Sequence, residues 1–141
     1  MSLYDTHLLI NNARQHGKGQ MLSVVDPATE KELAVVAEAD HAQVDAAVAA
    51  ARSALPMWSS TTPSERAGVL LKIADKLQLL ADTIARIDSI NCGKPLLRMR
   101  EDEIHHIVDP FRFMAGAVRC LQGPMAGGYV AGHTSFVRRD A

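Results

Sequence analysis

The chain has 141 residues, 48% of them hydrophobic and 22% charged, and its 15 Lys and Arg nearly balance 16 Asp and Glu for a formal net charge of −1. That length sets one domain, or part of one, with a core of its own as the expectation. Both signs are interspersed, no run approaches the roughly 20 apolar residues a bilayer span needs, and Met1 to His7 holds no basic stretch leading into an apolar one; a soluble, cytoplasmic chain with no nucleic-acid or membrane partner is expected.

Two short apolar runs come first, Leu8-Leu9-Ile10-Asn11-Asn12 and Met21-Leu22-Ser23-Val24-Val25, and Asp26-Pro27-Ala28-Thr29 turns the chain into a third at Leu33 to Ala37. They read as two or three strands in antiparallel ribbons. Asp40, with Gln43 three residues later, gives a helix start, and Val44, Ala47, Val48, Ala51 and Leu55 mark one helical face that Pro56 is expected to end. Thr62-Pro63-Ser64-Glu65 presents a fuller start, with a hydroxyl cap, proline at the first helical position and a glutamate placed to bond back.

The second helix carries the clearest periodicity, Leu70, Ile73, Leu77, Leu80, Ile84 and Ile87, and closes at Asn91-Cys92-Gly93-Lys94-Pro95, where Gly93 can turn left-handed. A third helix carries Ile104, Ile107, Val108, Phe111, Met114, Val118 and Leu121, and Pro110 inside it predicts a kink or two shorter helices. Beyond Leu121 a Gly-rich stretch and the alternating segment 134–139 read as a closing β-ribbon. The fold class is α+β, three helices with short antiparallel strands.

Chemistry is sparse along this chain. Cys92 and Cys120 lie in no metal-ligand spacing and suggest reduced thiols, Cys92 as a small packing residue and Cys120 as core or near-core. A helix C-terminus is also a poor place for a thiolate, which argues against Cys92 as a nucleophile. His105 and Asp109, four apart, could face one ion, but the acidic and histidine run from Glu101 to Asp109 reads better as a solvated polar face near a helix start. Gly123, Gly127, Gly128 and Gly132 are not spaced as a dinucleotide fingerprint and precede no helix, so they read as turn residues. Arg138-Arg139 reads as edge-strand charge that discourages aggregation.

Four segments in order, Val25-Asp26-Pro27-Ala28-Thr29, Asn91-Cys92-Gly93-Lys94-Pro95, Phe113-Met114-Ala115-Gly116-Ala117 and 134–140, resemble the opening of an NAD(P)-dependent aldehyde dehydrogenase. The run from Asp102 to Asp140 is most similar to bacterial γ-aminobutyraldehyde dehydrogenases. The resemblance implies the N-terminal portion of a larger α/β fold, with residues 1–121 an incomplete helical and β-ribbon part of the cofactor-binding domain and 122–141 the start of an oligomerisation arm. It implies oxidation of 4-aminobutanal to 4-aminobutanoate, in which a cysteine thiolate attacks the carbonyl, hydride passes to the nicotinamide and a glutamate activates water.

The family's nucleophile, general base and nucleotide-binding segments have no counterpart here, so the reading is a truncated segment, inactive alone, that holds no NAD or NADP by itself. Some members hold a monovalent cation through backbone carbonyls before the Asp-Pro-Ala-Thr turn and an acidic side chain early in the third helix; the matching positions are Val24, Val25 and Glu103. Relatives acting on aminoaldehydes meet the substrate's ammonium with residues of that helix, which points to Asp109 and Phe113, beside the plainer readings of a salt-bridged surface Asp and a core Phe. Pro110 departs from the family pattern in that helix.

Two other roles stand beside the enzymatic one. The chain could be an interaction module that joins a full-length dehydrogenase subunit or its own copies through the closing ribbon, or a stand-alone small-molecule binder. With the rest of the fold missing, apolar faces lack partners, and marginal folding or self-association is expected.

Overall fold

The computed structural model describes residues 5–121, 125–127 and 131–137. Antiparallel ribbons lead and close the chain, and helices lie between them. The ribbon β1 (Leu8–Ile10) with β2 (Ala13–Gln15) turns at Asn11 and Asn12, both at positive φ (51° and 61°). Asparagine tolerates that region better than other non-glycine residues, and two such residues in succession suit the twist of a two-residue hairpin. This pairing makes four strands where two or three were expected, because Ala13-Arg14-Gln15 has no apolar alternation to reveal it.

The second ribbon, β3 (Met21–Val25) with β4 (Glu32–Ala37), has an irregular register between Val24 and Val25. Its turn is organised by Asp26, whose carboxylate accepts from the Ala28 backbone N–H (2.8 Å) and the Thr29 hydroxyl (2.9 Å). Those donors, the Ala28 N–H foremost, hold the Asp26 carboxyl below its ordinary range.

Helix α1 (His41–Ser59) opens with the expected box: the Asp40 carboxylate accepts from the Gln43 N–H (2.8 Å) and the Gln43 side-chain oxygen accepts from the Asp40 N–H (3.2 Å). Pro56 does not end it; the helix runs a further turn to Ser59. Pro56 is exposed, so water can satisfy the Arg52 carbonyl that the proline cannot reach. Helix α2 (Pro63–Leu79) starts as predicted, with the Glu65 carboxylate accepting from the Thr62 N–H (2.7 Å) and the Thr62 hydroxyl accepting from the Glu65 N–H (3.3 Å).

The apolar run Leu70 to Ile87 is not one helix. It breaks at Leu80, which ends α2 and starts α3 (Ala81–Cys92). Ile73 and Leu80 of the predicted stripe are exposed, while Ala67, Ala74 and Ala85 are buried. Alanines let a neighbouring helix approach closely, and α5 (Ile104–Arg119) packs along α2. Gly93 closes α3 at φ 73°, as expected.

A short helix α4 (Leu96–Arg98) and a π-helical turn (Met99–Glu103) lead into α5. The two shorter helices offered at Pro110 do not form: α5 is unbroken from Ile104 to Arg119, with Pro110 exposed. The irregularity sits upstream in the π turn, which re-aims the chain before the helix proper. The core joins Ala74, Ala85, Met99, Ile104 and Val108, flanked by Leu77, Ala81, Ile84, Leu96, Ile107 and Phe111.

Cys120 follows the last turn of α5 and is exposed, and Cys92 at the end of α3 is exposed too, so neither has the packing role expected of it. The closing ribbon forms as expected, β5 (Met125–Gly127) pairing with β6 (Thr134–Phe136). The readings of Gly123, Gly128 and Arg138-Arg139 lie outside the described residues. Among the described residues no helix is long and apolar enough to cross a membrane.

Candidate functional site

The residues singled out from sequence fall into two places. Val24 and Val25 end β3, and the next residues form the Asp26–Pro27 turn. That turn abuts the end of α3: a Cβ on Gly93 would stand 2.9 Å from the Pro27 ring. The adjacent Lys94 ammonium donates to the Glu103 carboxylate of the π turn. The turn after β3 thus reaches Gly93, and its neighbour Lys94 reaches Glu103, which links the end of β3 to the π turn.

Lys94 is the residue the sequence reading missed here. Nine positions separate it from Glu103, a spacing that no helical or strand periodicity pairs. The Glu103 hydrogen bond, ahead of the charge of that same carboxylate, raises the Lys94 pKa above its ordinary value. The carboxylate proposed as a hard-cation ligand therefore already holds an ammonium, and an entering ion would compete with it. The Lys94 carbonyl in turn accepts from the Ser89 hydroxyl (2.6 Å), which fixes the turn on α3.

Asp109 and Phe113 lie four apart on α5, so both fall on one side of the helix. Both are exposed, Phe113 at 67%, on a helix whose Ile104, Val108 and Ala115 are buried. The core reading of Phe113 is therefore wrong. Asp109 makes no salt bridge among the described residues, which also removes the plain reading offered for it. An open carboxylate one helical turn before an open aromatic ring can meet an organic ammonium by charge and by cation–π contact. Beside them, Leu70, Pro110, Phe111 and Met114 line an apolar cavity of about 270 Å³ between α2 and α5.

His105 and His106 are exposed, with rings 6.0 Å apart, and the His106 Nδ1 is engaged with the Asp102 carbonyl (2.6 Å). No cluster of three or more His, Cys, Asp or Glu placed to hold a metal exists among the described residues.

A nicotinamide dinucleotide needs a free helix N-terminus or glycine cradle for its pyrophosphate. The starts of α1 and α2 do not fit: the Asp40 carboxylate and the Thr62 hydroxyl already accept from the Gln43 and Glu65 N–H groups, and the Asp40 and Glu65 carboxylates place negative charge there.

Residues 14–141 match the aldehyde dehydrogenase family. Human retinal dehydrogenase 2 is 34% identical over 131 residues, 88% of this chain and 25% of the relative. The EPTC-inducible aldehyde dehydrogenase of Rhodococcus erythropolis is 34% identical over 109 residues, 77% of this chain and 22% of the relative. The NAD+ complex of an aldehyde dehydrogenase from Bacillus cereus superposes with a TM-score of 0.89 at 30% identity, covering 97% of this chain and 28% of that one. The chain thus spans about a quarter of the length of these relatives. Matched to the family over residues 14–141 and superposing on a solved member over 97% of its length, the chain belongs to the aldehyde dehydrogenase family and corresponds to that family's N-terminal region.

Proposed function

We propose that this chain supplies the N-terminal quarter of a cytoplasmic, NAD(P)-dependent aldehyde dehydrogenase that oxidises 4-aminobutanal to 4-aminobutanoate, and that it has no activity without the remaining fold. The observation that carries this reading is the family match over 14–141 combined with coverage of only 25% of a relative's length. A quarter of the fold leaves the nucleophile, the general base and the nucleotide site to the other three quarters. Within that enzyme residues 1–121 belong to the cofactor-binding domain and 122–141 begin the arm through which subunits associate. The partner is a polypeptide bearing the rest of the fold, in a homo-oligomer or beside a full-length subunit. The exposed apolar side chains Val44, Val48 and Leu55 of α1 favour such an association.

The aminoaldehyde assignment rests on Asp109 and Phe113, exposed together on α5. Its test uses an enzyme in which residues 8–141 replace the matching segment of the Bacillus cereus relative. Asp109→Asn is expected to raise KM for 4-aminobutanal about tenfold, the worth of roughly 1.4 kcal/mol, while leaving KM for butanal, which lacks the ammonium, unchanged. Equal effects on both aldehydes would remove Asp109 from substrate recognition. The cation assignment to Val24, Val25 and Glu103 belongs to the same enzyme, where Lys94 must release Glu103 before an ion can bind.

A further inference from the structure

The first ribbon carries a histidine pair that the dehydrogenase reading does not use. Continuing the register of β1 and β2 by one step beyond Leu8 and Gln15 sets His7 opposite His16. Their rings lie 4.3 Å apart between centroids and are tilted by 42°. The Asp5 carboxylate takes the His7 Nδ1 at 2.8 Å and also accepts from the His7 backbone N–H at 3.2 Å. A carboxylate only accepts, so His7 Nδ1 is the donor, which in the neutral ring leaves Nε2 as the acceptor. The second Asp5 oxygen pairs with Arg14 at 3.1 Å, which neutralises that guanidinium beside the pair.

The His16 end is anchored independently. Its carbonyl accepts from the side-chain nitrogen of Gln43 at 2.9 Å, and the same amide bonds Gln15 (3.3 Å) and the Lys18 N–H (3.0 Å). Gln43 is only 4% exposed, so this end of the ribbon is fixed to the start of α1. Neither nitrogen of the His16 ring makes a hydrogen bond among the described residues, and both histidines are exposed.

We propose that His7 and His16 form a chelating site for a divalent transition ion such as Zn2+, with water completing the coordination and Asp5 acting as a positioning residue that fixes the His7 tautomer. Imidazole suits Zn, Cu and Ni, and a carboxylate on the far ring nitrogen is the usual brace of a metal-binding histidine. The pair His105 and His106 lacks this arrangement, since consecutive residues of a helix do not face each other and its rings lie 6.0 Å apart, edge to face.

The test adds Zn2+ alone to the metal-free full chain and follows it by calorimetry and by the imidazole resonances. One Zn2+ per chain is expected, with the His7 and His16 ring signals moving together. His7→Gln and His16→Gln should each weaken binding at least about tenfold and Asp5→Asn about tenfold, while His105→Gln has no effect. Circular dichroism of each variant confirms the fold. The resonances of the unaltered chain decide the matter without any variant. Shifts confined to His105 and His106, no shifts at all, or a His16→Gln variant that binds as tightly as the parent would overturn the site.

Discussion

A Cβ on Gly17 would run into the carbonyl oxygens of Ala37 and Glu38, where the chain between the two leading ribbons crosses the end of β4. Gly68, inside α2, has nothing within 4 Å of the same position. The two glycines therefore predict opposite responses to one substitution. Gly17→Ala should lower stability by about 1–3 kcal/mol because backbone must shift, whereas Gly68→Ala should raise it by about 0.5–1 kcal/mol through helix propensity. Urea midpoints of the two variants against the parent check both signs. Gln43 shows the same dependence on tertiary contact: its place in the α1 cap is legible from the Asp40 spacing, but its bonds to Gln15, His16 and Lys18, more than 20 residues upstream, are not.

At the scale of elements, local chemistry was legible and packing was not. The starts of α1 and α2 and the left-handed stop at Gly93 formed as read, because a cap is decided by residues three or four apart. The break at Leu80 was hidden, since apolar spacing carries through it and no capping side chain marks it. Pro56 did not end its helix and Pro110 did not divide its own, since both are exposed and water can take the place of a lost hydrogen bond. The aldehyde dehydrogenase resemblance was readable from four segments, yet the link from Pro27 through Gly93 and Lys94 to Glu103 needed the fold.

The α2 cap also gives a pH dependence. The Thr62 N–H, then the Thr62 hydroxyl, lowers the Glu65 pKa below its unfolded value. A depressed carboxylate adds stability that is present above the unfolded pKa and lost as pH falls through the folded one. The thermal midpoint should therefore fall on acidification below about pH 4.3, the reference for Glu, and Glu65→Gln should make that fall shallower. An identical acid limb in the variant would show that Glu65 takes no part in it.

For the whole molecule, the exposed apolar side chains fit the place in a larger fold proposed above. Val44, Val48, Leu55 and Met57 on α1 and Phe113 and Met114 on α5 are exposed together with Leu121. Continuous apolar patches of several hundred Å² are uncommon on monomers and mark surfaces that await a partner. Sedimentation of the isolated chain should accordingly show association that grows with concentration. A monomer at all concentrations, unfolding in one cooperative transition, would argue that these faces need no cover.

The most direct measurement co-expresses this chain with the remaining three quarters of the Bacillus cereus relative and records NADH formation on adding 4-aminobutanal and NAD+. The account predicts that neither polypeptide forms NADH alone and that the co-purified pair does. Aldehyde-dependent NADH from this chain alone, or a co-purified pair that forms none, would contradict it.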